Sequence, residues 1–342
     1  MRKLIALLLL IFVASAFISL QAQNKKPFHV VNTFHIASGG GWDYLAIAPG
    51  NNHLYLSHGT QVNILDKTTG DSAGVIENTT GVHGIAFIQA LGKGFTSNGR
   101  LNNVTVFDLA TNKVITQITT GENPDAILYE PFSQKIITCN GRTKDLTVID
   151  PVENKVTATI PVGGKPETAV SNGAGILYVN IEDKNELVVV NTKTFAVESH
   201  FSILPGEEPT GLAFDKETNR LFVGCGNKYL MVINAATGAV VNGLTIGDGC
   251  DGVAFDTETK NIFTSNGEGT MSVFHEVSAD QFKAIGTTVT KRGARTITID
   301  PMTHLVYLPT AEFEPQPQQA GSAATSRPKM IPGTFQVLVL GQ

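Results

Sequence analysis

Asn123-Pro124-Asp125-Ala126-Ile127, then Lys135-Ile136-Ile137-Thr138-Cys139-Asn140-Gly141, then Leu146-Thr147-Val148-Ile149-Asp150-Pro151-Val152-Glu153-Asn154-Lys155-Val156 form the unit that decides the fold. Each run is short, rich in β-branched residues and bounded by Pro, Gly, Asn or Asp, which is the pattern of antiparallel strands joined by tight turns. The unit recurs. The central residue of its second run is Tyr55, Phe95, Ile137, Tyr178, Phe222, Phe263 and Tyr307 in successive copies. An anchor 11 or 12 residues earlier returns as Asp43, His83, Asp125, Glu167, Thr210, Asp251 and Arg295. Two anchors sharing one period of roughly 40 to 45 residues, with several strands per copy, predict an all-β, seven-bladed β-propeller spanning residues 27–342 as one domain.

Met1-Arg2-Lys3, the apolar run Leu4–Leu20 and Gln21-Ala22-Gln23 read as a secretory signal peptide over residues 1–22, with cleavage after Ala22, or after Ala16 as the second choice. The expected product is exported, periplasmic or extracellular, and has no later segment apolar enough to span a membrane. Removing Arg2 and Lys3 takes the net charge from −5 to −7. Without a basic cluster, general nucleic-acid binding is disfavoured. The partners this leaves are a small molecule or an envelope protein, with the chain itself a monomer.

The N-terminal run His29–Ile36 precedes the first full unit, and Thr334–Leu340 ends the last one a strand short. Pairing the two completes blade seven and removes two exposed edges. Between the second and third strands of that blade, residues 311–333 form a Pro-, Gln- and Ala-rich insertion, expected to be a flexible surface loop or a flap over the channel. The turns Asp66–Gly70, Asp108–Asn112, Asp150–Asn154, Asn191–Thr194 and Asn234–Gly238 have the Asp or Asn that bonds backbone N–H groups ahead of it, a structural role.

With Leu177-Tyr178-Val179-Asn180, Gly94-Phe95-Thr96-Ser97-Asn98 and Ile262-Phe263-Thr264-Ser265-Asn266, followed by Val-x-Val-Ile-Asp and Thr-Gly turns, the unit resembles the YVTN-type repeat of YncE-like seven-bladed propellers. That resemblance implies the fold strongly. It implies function poorly, because such propellers serve as envelope proteins, binding modules and occasional enzyme subunits.

Each first strand starts at the mouth of the central channel, so the earlier anchors are expected to form a ring there. Asp43, Asp125, Glu167 and Asp251 bring four carboxylates, which repel one another and favour a bound cation such as Ca2+ or Mg2+, raised pKa values or a basic ligand; the alternative is a channel lined by water. Thr210, His83 and Arg295 complete the ring. Arg100 and Arg142, near His83, are candidates for an anion, and Trp42 for a stacking platform or for packing between blades. His58 and His83 are the histidines expected to face the mouth; His29, His35, His53, His200, His275 and His304 are assigned to structure. Cys225 and Cys250 are placed near each other, leaving open a disulfide of the kind an exported protein tolerates. No His-Glu-x-x-His, Gly-x-Ser-x-Gly, P-loop or EF-hand run is present. The chain therefore reads as a ligand- or protein-binding module on its channel face. The alternative is a metal-assisted lyase or hydrolase with His83 or Glu167 as base, and a redox role through an electron carrier ranks third.

Overall fold

The computed structural model describes residues 26–315 and 329–342, which form seven four-stranded antiparallel sheets. The signal peptide read over residues 1–22 lies outside the described residues. Blades one to six each run in chain order from the channel outward, as in blade three with Pro124–Glu130, Lys135–Asn140, Asp145–Asp150 and Lys155–Pro161. Blade seven runs Thr298–Ile299, Val306–Thr310, Gln336–Gly341 and then His29–His35, the N-terminal strand. His29 stands opposite Gly341 and His35 opposite Gln336, so the chain ends close the ring as expected.

Burial follows strand position. The second and third strands are covered on both faces by neighbouring blades, and their central residues are buried, whereas the outermost strands alternate or face solvent. The repeat anchors Tyr55, Phe95, Phe222, Phe263 and Tyr307 are at most 1% exposed and act as wedges between blades. Tyr55 meets Phe87 edge-on at 4.9 Å, and Phe222 meets Phe255 at 5.2 Å. Burying an aromatic of this size contributes on the order of 2 kcal/mol, which is why an aromatic or aliphatic residue returns at this position in every blade.

Polar columns of the repeat are structural as well. Asn140 receives Thr138 Oγ1 and donates to Asp145 and Thr147, and Asn98 and Asn266 make the matching set in their own blades. These Asn side chains are fully buried and knit the second strand to the third. One position earlier, Ser97 donates to the carbonyl of Asp125 and Ser265 to that of Arg295, tying each blade to the innermost strand of the next. The expected turn bonds are also present: Asp66 Oδ1 accepts from the amides of Thr68 and Thr69, and Asp150 Oδ1 from those of Val152 and Glu153.

The cysteines and the base of the insertion take definite places. All three cysteines are buried free thiols, and no Cys225–Cys250 disulfide forms. Cys250 Sγ lies against Gly224, where a Cβ would come within 2.7 Å of it, while Cys225, the next residue along the strand, packs toward blade four with Leu187 and Met231. Consecutive strand residues face opposite sides, so the sheet of blade five separates the two sulfurs. At the base of the 311–333 insertion, Phe313 pairs with Met330, Ile331 donates its amide to Glu312 O at 2.8 Å, and Lys291 holds the Glu312 carboxylate at 2.5 Å. Residues 316–328, the middle of that insertion, lie outside the described residues.

Candidate functional site

The second residue of each innermost strand in blades one to six comes from one local device. Pairing with the second strand is irregular at the start of every one of these strands, for example between Trp42 and Leu45, Val82 and Ile85, and Pro124 and Ile127. A bulge of this kind re-aims a side chain out of the ladder, here toward the channel. Gly84, directly after His83, lets the strands of blades two and three meet closely, because a Cβ there would lie 3.0 Å from the Ile127 amide nitrogen.

The ring residues are paired. His83 Nδ1 lies 2.6 Å from Asp43 Oδ2 and 3.8 Å from Asp125 Oδ1. Arg295 binds Asp251 through one guanidinium nitrogen and approaches Asp43 Oδ1 at 3.3 Å through another. Glu167 accepts from Lys165 Nζ at 2.5 Å, and the same ammonium binds Glu182, which sits on the loop after the second strand of blade four. Thr210 Oγ1 donates to the carbonyl of Cys250 at 2.7 Å, a tie between blades. Beneath these groups Tyr44 of blade one crosses the channel to Thr168 of blade four, with 3.5 Å between the hydroxyl oxygens, and packs on the core of blades three and four. The mouth is therefore a cup with a phenol floor.

Charge in the cup is set by burial against pairing. Burial opposes the charge on Asp43, but the bond from His83 and the guanidinium of Arg295 outweigh it and hold the carboxyl below its ordinary value. Burial also opposes the imidazolium of His83, yet the hydrogen bond to Asp43 and the fields of Asp125, Asp43 and Glu167 raise it to about 9. Asp125 is pushed by burial to about 6, His83 drawing it down and Asp43 driving it up. Glu167 reaches about 8 through burial and the negative field of Asp125, while Glu182 is held low by its contacts with Glu167 and Lys165 despite burial. Lys165 thus stays charged against Glu182 while Glu167 carries a proton. Asp125 Oδ1 is shut off from solvent and has no hydrogen-bond donor among the described residues.

The remaining candidates fall elsewhere. Trp42 stacks on Phe335 at 5.5 Å and touches Phe313 at 6.0 Å, so it packs and offers no open platform. Arg142 is 69% exposed and reaches Glu122 at 3.9 Å, and Arg100 is exposed beside Gly81; neither bonds to the ring. His58 does not face the mouth. It is 1% exposed, stacked on Phe335, and bonded to Ser38, Asn63 and the carbonyl of Gly40, because it stands in the column occupied by Asn98 and Asn140. Among cation donors, one atom each from Asp43, His83 and Asp125 lie within 4.8 Å of one another, whereas Asp251 and Glu167 of the four-carboxylate set are engaged by Arg295 and Lys165. Sequence reasoning missed Tyr44, Lys165 and the role of Glu182. The sequence signal available was adjacency: Tyr44 follows Asp43, and Lys165 precedes Glu167 by two residues.

No known protein family matches the chain, and no curated protein matches it. Among solved structures, it is similar to one titled Kuenenia stuttgartiensis hydrazine synthase, with a TM-score of 0.70 and 14% identity over 80% of this chain and 94% of that one. At that identity the likeness concerns the propeller fold alone. Among the described residues no helix is long and apolar enough to cross a membrane.

Proposed function

We propose that this chain is an exported binding module that takes a small ligand, or a side chain of an envelope protein, in the cup at its channel mouth. The observation that carries the reading is the carboxylate oxygen of Asp125, out of solvent and without a donor, beside the imidazolium of His83. An acceptor left unmade in a buried place costs about 1–3 kcal/mol, and a ligand N–H or ammonium placed there recovers it. The YVTN-like repeat supports kinship with envelope propellers, and the leader-like pattern of residues 1–22 supports export. The test is calorimetric titration with a panel of primary ammonium compounds and small amides against the wild-type chain and Asp125→Asn. A ligand that binds the wild type and loses at least tenfold in the variant is the expected result; equal binding to both rejects this site.

A second reading, a metal-assisted lyase or hydrolase, is favoured by the convergence of Asp43, His83 and Asp125. An imidazole with two carboxylates suits a borderline divalent ion better than Ca2+ or Mg2+, which prefer oxygen alone. Elemental analysis of the purified protein, with melting curves before and after EDTA, decides it: near-stoichiometric metal that raises the melting temperature, with both effects lost in His83→Ala, is required.

A further inference from the structure

On the opposite rim, away from the cup, the outer hairpin of blade six is longer than its counterparts. Its strands Thr270–Ser278 and Gln281–Val289 have nine residues each, against six each in the corresponding pair of blade five. Its tip reaches back over blade five: Arg220 Nε donates to Ala279 O at 2.8 Å, and Arg220 Nη2 reaches Asp280 Oδ1 at 2.9 Å. Beneath the tip, Glu276 of the hairpin and Asp215 of blade five are 4% and 1% exposed.

Hydrogen-bond donors there are unevenly shared. Thr218 Oγ1 lies 2.7 Å from Glu276 Oε1 and 3.1 Å from Asp215 Oδ2, but a hydroxyl has a single proton to give. Glu276 Oε2 has no donor at all among the described residues. The one ammonium at the pair among the described residues, Lys260, reaches Asp215 at 3.2 Å and is shared with Glu217 at 2.6 Å. The amide of Glu217 also donates to Asp215 Oδ1 at 2.9 Å, so the donors fall on Asp215 and Glu276 is the buried carboxyl left to hold a proton.

We propose that Asp215 and Glu276 form a proton-operated latch across the seam of blades five and six, closed while Glu276 holds a proton and released at the hairpin tip when that proton leaves. Burial and the neighbouring Asp215 support this by raising Glu276 to about 7, and burial of Asp215 is outweighed by its hydrogen bonds, which keep it low. The sign follows. A carboxyl that binds its proton more tightly closed than open favours closure at low pH, and that preference is lost as pH rises from the open-state value toward and past 7. Asp215 acts in the opposite sense, losing its contribution only as pH falls below the ordinary carboxylate range. Arg220, Asp280, Lys260 and Glu217 are the other charged groups facing the latch among the described residues.

Hydrogen exchange of the intact chain at pH 5.5 and 8.0, corrected for intrinsic rates, tests it at the tip amides of residues 276–282. His304 and Asp256 form another ion pair on the same rim, so a local readout is needed. Tip protection is expected to fall roughly tenfold or more at the higher pH. Glu276→Gln, whose amide supplies the missing N–H, is expected to stay protected at both. Protection in the wild type that does not change with pH, or an unaltered pH response in Glu276→Gln, overturns the proposal. Should that variant fail to fold, Asp215→Asn decides in its place: removing the opposing carboxylate must shrink the pH response.

Discussion

The hydroxyl of Tyr44 lies 3.5 Å from that of Thr168, three blades away across the channel. One side chain thereby spans the central opening and seats on the core of blades three and four. Truncation separates its two contributions. Tyr44→Phe, which removes one long hydrogen bond, is expected to cost about 1 kcal/mol or less, and Tyr44→Ala about 3 kcal/mol, in urea denaturation. Equal losses in the two variants would mean that the hydroxyl contact, and not the ring, holds the floor.

Asp125 should trade stability for function. Its oxygen without a donor and its like-charged neighbours are unfavourable in the free protein. Asp125→Asn is expected to stabilise the chain at pH 8 by about 1 kcal/mol, raising the melting temperature by roughly 1–2 °C, while weakening ligand binding at least tenfold. A lower melting temperature would show that the carboxylate has a structural partner.

Asn140 is a framework residue. Its carbonyl and amide are fully used inside blade three. Asn140→Ala leaves Thr138 and Thr147 buried with unmade bonds and is expected to cost about 2–4 kcal/mol by urea denaturation, whereas Glu153→Ala, in an exposed turn, should cost under about 1 kcal/mol.

The thiols should be silent. Burial pushes Cys225 and Cys250 up to about 12 and raises Cys139 well above the ordinary thiol value, which leaves almost no thiolate at neutral pH. A disulfide-exchange reagent is expected to react with none of the three in the native chain and with all three in guanidinium. Fewer than three on unfolding would restore a disulfide.

The fold was legible because a propeller writes its period into the sequence: Tyr55, Phe95 and Phe263 recur as wedges between blades and are buried as wedges must be. The ring was legible in part for the same reason, since Asp43, His83, Asp125 and Glu167 each sit one residue into an innermost strand. Periodicity takes one residue per blade, however, and so passes over neighbours such as Tyr44 and Lys165 whose side chains reach the same space. It also misplaced His58. Aligning His58 with Asn98 and Asn140 would have marked it as a member of a buried column, where an imidazole can replace an amide as both donor and acceptor. The cysteine pairing failed because nearness in blade order does not say which face of a sheet a side chain takes.

The strand that closes the ring has a consequence in time. His29–His35 is made before all of blades one to six and Gln336–Gly341 after them, so the outer edge of blade seven has no partner until that later strand exists. Blades one to six can zip locally as they emerge, but the circle cannot shut early. Until then the propeller keeps two free edges, and the hydrogen bonds between His29–His35 and Gln336–Gly341 are the ones that shut it.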